Sequence, residues 1–209
     1  MGTDPNPQVF RVYIEQCKAY EKLLSGHEPV IEFFQKRVKD HFYDAYRCIG
    51  KSGKEVVFYN APAEDILDVI RGNKFDCIFT SPPYFNREAY SEDENQSYKK
   101  YGSSYESWRD GFLEPTLKTC VDWLKNDRYL LWNIADIKIK DGYLPLEEDS
   151  RKILEEHGMI YKYTLKMAME SMPGQNRLDE NGIPKCKNFC KVKGRFLKYE
   201  PVFVFWKPT

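Results

Sequence analysis

The chain lacks the features that would assign it to several common classes of protein. No apolar run approaches the roughly 20 residues that a membrane-spanning helix requires, and no signal peptide is recognisable. The 32 cationic and 32 anionic residues cancel, so no overall positive charge attracts nucleic acid. These absences argue against a membrane protein and a generally basic DNA-binding protein, and they favour a cytoplasmic location.

Two kinds of ligand site are also missing from the sequence. None of the twelve glycines forms a Gly-x-Gly, and Ala45 stands where a phosphate-binding loop ending at residues 50–52 would need glycine. The six cysteines are scattered, and the pair formed by Cys186 and Cys190 has no second pair to complete a zinc site. We therefore expect free core thiols in a reducing compartment and no metal.

What the chain does have is a proline-locked corner directly after an apolar run. Phe75 to Thr80 predict a buried strand, because the run is short and rich in apolar and aromatic residues. Pro82 and Pro83 cannot donate to a sheet, so strand pairing must stop at Ser81. The first proline also biases Ser81 toward an extended conformation. The Ser81 hydroxyl and the Ser81 and Pro82 carbonyl groups should then lie rigidly at the carboxyl edge, where open α/β sheets bind ligands.

This corner contains the groups needed to hold a planar amine. A hydroxyl and a carbonyl oxygen that converge on one point can accept both hydrogens of an exocyclic amino group, which leaves the nitrogen lone pair free. Tyr84 supplies an aromatic face for the ring that carries the amine. An amine held in this way could attack an electrophilic methyl group.

Ser81-Pro82-Pro83-Tyr84 resembles the catalytic tetrapeptide of the exocyclic-amino DNA methyltransferases, which use S-adenosylmethionine to methylate cytosine N4 or adenine N6. The resemblance implies that these four residues are catalytic and that Thr80 lies beside the cofactor. Serine in the first position leans toward the cytosine enzymes.

Other segments resemble the same family in the same order. Residues 2–7 resemble a strand end at which an acidic side chain, here Asp4, takes the ribose hydroxyls of the cofactor. Residues 60–65 resemble the edge of the adenine pocket, with Glu64 as the candidate, and residues 200–207 resemble the closing strand. The alternatives are that Asp4 only caps a helix and that Glu64 belongs to an ordinary helix start.

The resemblance implies an α/β fold in a single domain over residues 1–209. It is a Rossmann-like methyltransferase sheet flanked by helices, with an antiparallel C-terminal hairpin. The family's first strand and helix, which carry a glycine-rich turn, have no counterpart here. We therefore expect a missing N-terminal segment or a second chain to supply that turn, because the sheet would otherwise have an unpaired central strand.

Residue spacing predicts the individual elements. Helices are expected from Pro7 to about Leu24, after a Ser103/Glu106 capping box, and over residues 146–157. Strands are expected over residues 55–59, 129–134 and 159–169. The charged stretch from Pro29 to Tyr46 is interpreted as a helix-like insertion.

Two segments are candidates for DNA contacts. Residues 85–104 are polar and rich in tyrosine, which predicts a mobile loop in which Tyr98 stacks on bases and Lys99 meets phosphate. Residues 170–199 are predicted to form a basic recognition segment, because cations and aromatic residues interleave there and no acid occurs over residues 183–199. Its candidate contacts are Arg177, Lys185, Lys187, Lys191, Lys193 and Arg195. A merely solvated loop is the alternative for both segments.

The function predicted from the sequence is S-adenosylmethionine-dependent methylation of an exocyclic amine in DNA, with cytosine N4 favoured over adenine N6. The base would be flipped out and would attack the methyl group in line. The alternatives are a catalytically inactive nucleic-acid-binding module, an enzyme that acts on another amine, and one subunit of a split methyltransferase.

Overall fold

The structure, a computed structural model, describes residues 2–3, 7–38, 40–62, 65–66, 74–87, 96–169, 179–181 and 187–209. The chain divides into two compact units. The first comprises Met1–Asn73 and Ala89–Lys100, and the second comprises Lys74–Glu88 and Tyr101–Thr209. The single-domain interpretation stays a prediction.

The first unit is built on a four-stranded sheet. Its elements are β1 (Gly2–Thr3), α1 (Pro7–Ser25), β2 (Val30–Val38), β3 (His41–Ile49), β4 (Glu55–Tyr59) and α2 (Ser97–Lys100). The strand order is β1-β4-β3-β2, in which β1 and β4 are parallel and the other pairs are antiparallel. Tyr13 of α1 stacks on Phe58 of β4 with 5.7 Å between ring centroids, which holds the helix on the sheet. The predicted helix from Pro7 and strand at 55–59 are confirmed.

The interpretation of Pro29 to Tyr46 as helix-like is wrong. This segment forms β2 and the first part of β3, which pair in unbroken antiparallel register from Val30 with Ile49 to Val38 with His41. The stretch contains several β-branched and aromatic side chains, and these favour a pleated, half-buried surface over a helix. Its many charges are compatible with a strand pair because alternate side chains of a strand can face solvent.

The second unit is built on a mixed sheet. Its elements are β5 (Phe75–Thr80), α3 (Tyr105–Trp108), a π-helical turn (Arg109–Leu113), α4 (Glu114–Trp123), β6 (Leu124–Asn133), β7 (Ile137–Ile139), β8 (Gly142–Leu144), α5 (Leu146–Glu156), β9 (Ile160–Ala168), β10 (Phe189–Val192) and β11 (Arg195–Lys207). Across the sheet the order is β5-β6-β11-β9, and β10 pairs with the first part of β11. β5 and β6 are parallel to each other, and β11 is antiparallel to β6, β9 and β10. The α/β class and the antiparallel C-terminal hairpin are confirmed.

One face of this sheet is covered by helices α4 and α5. Leu130 and Trp132 of β6 are fully buried there, and the Trp132 indole donates to the Ser150 hydroxyl of α5 at 3.1 Å. At the carboxyl end of α4, the Lys207 ammonium donates to the carbonyl oxygens of Val121 and Leu124 at 2.7 and 2.9 Å. A cation suits this end of a helix because the last carbonyl groups have no partner within the helix.

The opposite face of the same sheet, here called the open face, exposes large apolar side chains. The rows of the register place Phe79, Leu131, Val204 and Tyr163 side by side across four strands. Exposure is confined to the two ends of this row: Phe79 is 61% and Tyr163 is 53% exposed, whereas Leu131 is half-buried and Val204 is 3% exposed. Leu165 of β9 is 46% exposed. Neighbouring exposed apolar side chains of this kind often mark a surface that another segment or chain covers.

The helix that crosses from β5 to β6 begins one residue later than the predicted capping box. Ser104, rather than Ser103, is the N-cap, and its hydroxyl accepts from the Ser107 backbone amide at 3.1 Å. This start places Tyr105 and Trp108, one helical turn apart, among the buried side chains. Among the described residues, no helix is long and apolar enough to cross a membrane.

Candidate functional site

The proline-locked corner lies where the sequence predicts it, at the carboxyl end of β5. Thr80 pairs with Trp132 of β6, and strand structure stops at Ser81. The Ser81 side chain is exposed, Pro82 is buried, and Pro83 and Tyr84 are half-buried. The Tyr84 hydroxyl oxygen is itself buried. The corner therefore presents the Ser81 hydroxyl to solvent on a support that two prolines and a partly packed tyrosine hold in place.

Phe85 fixes the corner from behind. Its side chain is 5% exposed and packs 6.0 Å from the Tyr105 ring and 5.6 Å from the Trp108 ring, measured between centroids. Its backbone has a φ of 48°, in the left-handed region that residues other than glycine rarely adopt. Turn bonds from the Phe85 amide to the Pro83 carbonyl and from the Arg87 amide to the Tyr84 carbonyl, each 3.0 Å, close the loop.

The neighbouring strand supplies the other side of this edge. Asn133, the last residue of β6, is 2% exposed and donates from its side-chain amide to the Pro201 carbonyl at 3.0 Å. Tyr105 donates from its hydroxyl to the Asp149 carboxylate at 2.8 Å. Burial, together with this hydrogen bond, raises the pKa of Tyr105 well above its ordinary value. The edge is thus held by a buried hydrogen bond that joins β6 to β11 and a partly buried one that joins α3 to α5.

Basic residues of the predicted recognition segment lie on the hairpin β10–β11. Lys193 and Gly194 form its two-residue turn, and both have positive φ, of 48° and 81°. That pattern is the turn type that matches the twist of a hairpin. Lys191, Lys193 and Arg195 are exposed, and the Lys191 ammonium lies 5.8 Å from the Phe196 ring centroid. The hairpin therefore presents three cations to solvent beside an aromatic side chain.

Lys187, another predicted DNA contact, instead joins an ion-pair cluster. Its ammonium contacts the Asp136 carboxylate and lies 3.6 Å from a Glu147 carboxylate oxygen. It also lies 5.1 Å from the centroid of the Tyr143 ring. Burial acts to lower the pKa of Lys187, but the two carboxylates outweigh burial and the net effect is a raised pKa. Its place in the structure is therefore different from that of the exposed cations on the hairpin.

The structure does not test the roles of several predicted site residues. Asp4, Glu64, Arg177 and Lys185 lie outside the described residues. Tyr98 and Lys99 lie on α2 in the first unit, both half-buried. Their proposed roles stay predictions.

The sequence reasoning missed two features of this edge. It places Phe85 at the start of a mobile loop, although an aromatic residue directly after the tetrapeptide indicates a side chain that could be buried and hold the turn in place. It does not consider the Asp136–Glu147 pair, because neither residue lies in a recognisable motif. Among the described residues, no cluster of three or more histidine, cysteine, aspartate or glutamate side chains could hold a metal ion.

Comparison with protein families identifies a match over most of the chain. A family model described as DNA methylase, of the N6/N4 type, matches residues 75–209. This range nearly coincides with the second unit and includes the corner, β6 and the basic hairpin.

A curated relative and several solved structures are also similar. The type II beta methyltransferase M.BslI of Bacillus sp. (strain NEB-606) is 25% identical over 163 residues. That match covers 75% of this chain, and the chain spans only 17% of that protein. A putative DNA modification methylase of Thermus thermophilus, solved with S-adenosyl-L-methionine, is 15% identical over 68% of this chain and 53% of its own, with a TM-score of 0.43. The M1.HpyAVI–SAM complex is 12% identical over 70% of this chain and 53% of its own, with a TM-score of 0.39.

Proposed function

The chain belongs to the family of N6/N4 DNA methylases, and from that premise we propose that it takes part in methylating the exocyclic amine of a DNA base, cytosine N4 in preference to adenine N6. S-adenosylmethionine is the proposed donor and supplies an electrophilic methyl group. The observation that carries the proposal is the exposed Ser81 hydroxyl at the carboxyl end of β5, next to two prolines and Tyr84.

In this proposal the corner orients the amine and holds its protons. The base is flipped from the duplex and rests against Tyr84. The Ser81 hydroxyl and the Pro82 carbonyl accept the two amine hydrogens, which leaves the nitrogen lone pair free to react. When bound, S-adenosylmethionine would supply the methyl group: its sulfur–carbon bond would break as the amine nitrogen takes the methyl, and the amine would lose one proton to solvent. Positioning and fixed dipoles supply most of the rate, with no covalent link to the protein.

DNA is held by the basic hairpin β10–β11 in this proposal. Lys191, Lys193 and Arg195 are exposed on a two-stranded ribbon, and cations of this kind neutralise backbone phosphates. Phe196 adds an apolar surface beside Lys191. For Tyr98, Lys99, Arg177 and Lys185, DNA contact rests on the sequence alone.

Three residues are proposed to contact the cofactor. Thr80 is half-buried and directly precedes Ser81, which suits a residue next to the methyl donor. Asp4 and Glu64 remain the proposed contacts to the ribose and the adenine edge, on the strength of the family resemblance.

A second observation favours a site that is completed by further polypeptide. Within the residues that the structure describes, β5 pairs with β6 and forms an edge of its sheet. An edge of this kind presents unpaired backbone groups, and the open face beside it exposes Phe79. We propose that a strand and a helix from another segment or a second chain cover both, and that they carry the glycine-rich turn.

The test is transfer of labelled methyl from S-adenosylmethionine to DNA, followed by nucleoside analysis. Ser81→Ala and Tyr84→Ala should each lower the rate by about tenfold or more, because each removes a group that orients the base. Ser52→Ala and Tyr20→Ala are matched controls, since both residues are exposed in the first unit and should leave the rate unchanged. Full activity in both corner variants would exclude this site.

The same assay separates the alternatives. Transfer by this chain alone supports a complete site, whereas transfer only after mixing with a second chain supports a split enzyme. Calorimetric binding of S-adenosylmethionine without any transfer, in every mixture, would indicate another amine as substrate. Absence of both binding and transfer, with DNA binding retained, would leave an inactive DNA-binding module.

A further inference from the structure

Asp136 and Glu147 exchange backbone-to-side-chain hydrogen bonds at the edge of the sheet where β6 ends. Asp136 lies in the loop that leaves β6, and Glu147 lies in the first turn of α5. The Glu147 amide donates to the Asp136 carboxylate at 2.8 Å, and the Asp136 amide donates to the Glu147 carboxylate at 3.1 Å. Their side chains are only 13% and 21% exposed. Two carboxylates are therefore held together in a place with little access to water.

The two residues just before the basic hairpin β10–β11 contact this pair, and one of them supplies a compensating positive charge. Lys187 contacts the Asp136 carboxylate and lies 3.6 Å from Glu147, and the Asn188 side-chain amide donates to Glu147 at 3.4 Å. Asn188 has a φ of 69°, and its carbonyl accepts from the Tyr199 amide of β11 at 2.8 Å. The cluster therefore fastens the chain immediately before β10 to the edge of the sheet.

The same edge is connected to the catalytic corner from the other side. Arg87, three residues after Tyr84, donates from its guanidinium to the Lys138 carbonyl of β7. Tyr143, whose ring lies against Lys187, belongs to β8, the partner of β7. The short hairpin β7–β8 therefore stands between the corner and the basic hairpin and contacts residues attached to each.

We propose that Asp136, Glu147 and Lys187 form a latch that positions the basic hairpin relative to the catalytic corner. Lys187 is then a positioning residue and not a phosphate contact. If its ammonium moved to a phosphate, two poorly exposed carboxylates would lose their counter-charge beside the anionic DNA, which is unfavourable. The DNA consequence rests on the function proposed above, but the latch itself does not.

The sign of one substitution separates a latch from simple electrostatics. Asp136→Asn keeps the oxygen that accepts from Glu147 and removes one negative charge. If charge alone mattered, DNA would bind more tightly, because a like charge near the phosphates is gone. If the latch matters, DNA should bind about three- to fivefold more weakly, because the basic hairpin is less firmly held.

The experiment has two arms, both on the full chain. Hydrogen exchange reports the latch without DNA: the amides of residues 188–192 should exchange about threefold faster in Asp136→Asn and Lys187→Gln and at the wild-type rate in Lys187→Arg. Fluorescence anisotropy with a short labelled duplex reports its consequence, as the dependence of affinity on salt. Lys191→Gln is the control, because loss of one phosphate contact lowers the salt slope by about 0.9.

The latch predicts that Lys187→Gln weakens binding with the wild-type salt slope. Unchanged exchange in both charge-removing variants overturns the latch whatever the DNA arm shows. Tighter binding by Asp136→Asn, or a slope for Lys187→Gln that falls as it does for Lys191→Gln, overturns the positioning role. Should the wild-type chain bind no DNA, the proposed function fails and the exchange arm alone decides the latch.

Discussion

At Phe85, glycine should be a less destabilising replacement than alanine, which is the opposite of the order expected at an ordinary buried aromatic residue. Its ring packs against Tyr105 and Trp108, so truncation removes a core contact behind the proline-locked corner. Its φ of 48° is also unfavourable for any residue with a Cβ atom. Replacement by alanine removes only the ring, whereas replacement by glycine removes the ring and the backbone strain together.

The two effects have different sizes. Loss of a buried phenylalanine ring costs about 3–5 kcal/mol in the free energy of unfolding. The left-handed conformation costs a residue with a Cβ about 1–2 kcal/mol, and glycine's extra backbone entropy in the unfolded chain costs about 0.5–1 kcal/mol. Phe85→Gly should therefore be more stable than Phe85→Ala, by up to about 1.5 kcal/mol, although both are far less stable than the wild type.

Urea unfolding followed by tryptophan fluorescence measures this difference. All four tryptophans, at positions 108, 123, 132 and 206, lie in the second unit, so the signal reports the part of the chain that contains Phe85. Phe112 is the matched control, because it is 9% exposed in the same aromatic cluster and lies in the helical segment without a positive φ. There glycine should be less stable than alanine by about 1 kcal/mol.

The reasoning is refuted if glycine is the less stable substitution at both positions. In that case the backbone at Phe85 is not strained, and the corner is held by packing alone.

Two further predictions concern titratable groups. Burial and the hydrogen bond to Asp149 raise the pKa of Tyr105 above 10.0, so the folded state binds the phenol proton more tightly than the unfolded chain does. The contribution of this proton to the free energy of unfolding is therefore fully present below pH 10 and declines as the pH rises above 10. Urea midpoints at pH 8 and pH 11 should therefore fall further in the wild type than in Tyr105→Phe, and equal falls would contradict this assignment. Burial raises the pKa of Cys120 to about 12, and Cys77 is exposed on β5, so iodoacetamide at neutral pH should label Cys77 in the folded protein and Cys120 only after unfolding. Peptide mass spectrometry measures the labelling of both cysteines. Equal labelling rates would show that α4, which carries Cys120, separates readily from the residues that bury this thiol.

The corner illustrates how far local sequence reaches. Two prolines fix their own φ values and cannot donate to a sheet, so the end of β5 at Thr80 and the turn at Ser81 were predictable from the sequence. The same holds for α1, which begins at Pro7, and for α5, whose apolar residues recur at helical spacing. The hairpin β2–β3 was not predicted, because the interpretation of this stretch as helix-like followed its charged residues and not its β-branched and aromatic ones.

The sequence alone could not show which charged residues form ion pairs with each other. Lys187 and Lys191 lie four positions apart in one basic run, and nothing local separates them. In the folded chain Lys187 meets Asp136, which is 51 positions away, whereas Lys191 lies on an exposed hairpin. Which cation is paired depends on how β6, α5 and β10 meet, and that is a property of packing.

By itself, then, the sequence determined the positions where backbone stereochemistry leaves one choice: the proline corner after β5, the helix that begins at a proline, and the short strands of apolar residues. The tertiary structure decided everything that needs two distant segments to meet. Among the described residues it places β5 at a sheet edge, buries Phe85 in a strained turn and gives Lys187 two carboxylate partners. The physical reason is range: a proline acts on its own dihedral angle and its neighbour's, whereas an ion pair or a sheet edge exists only after the chain has folded.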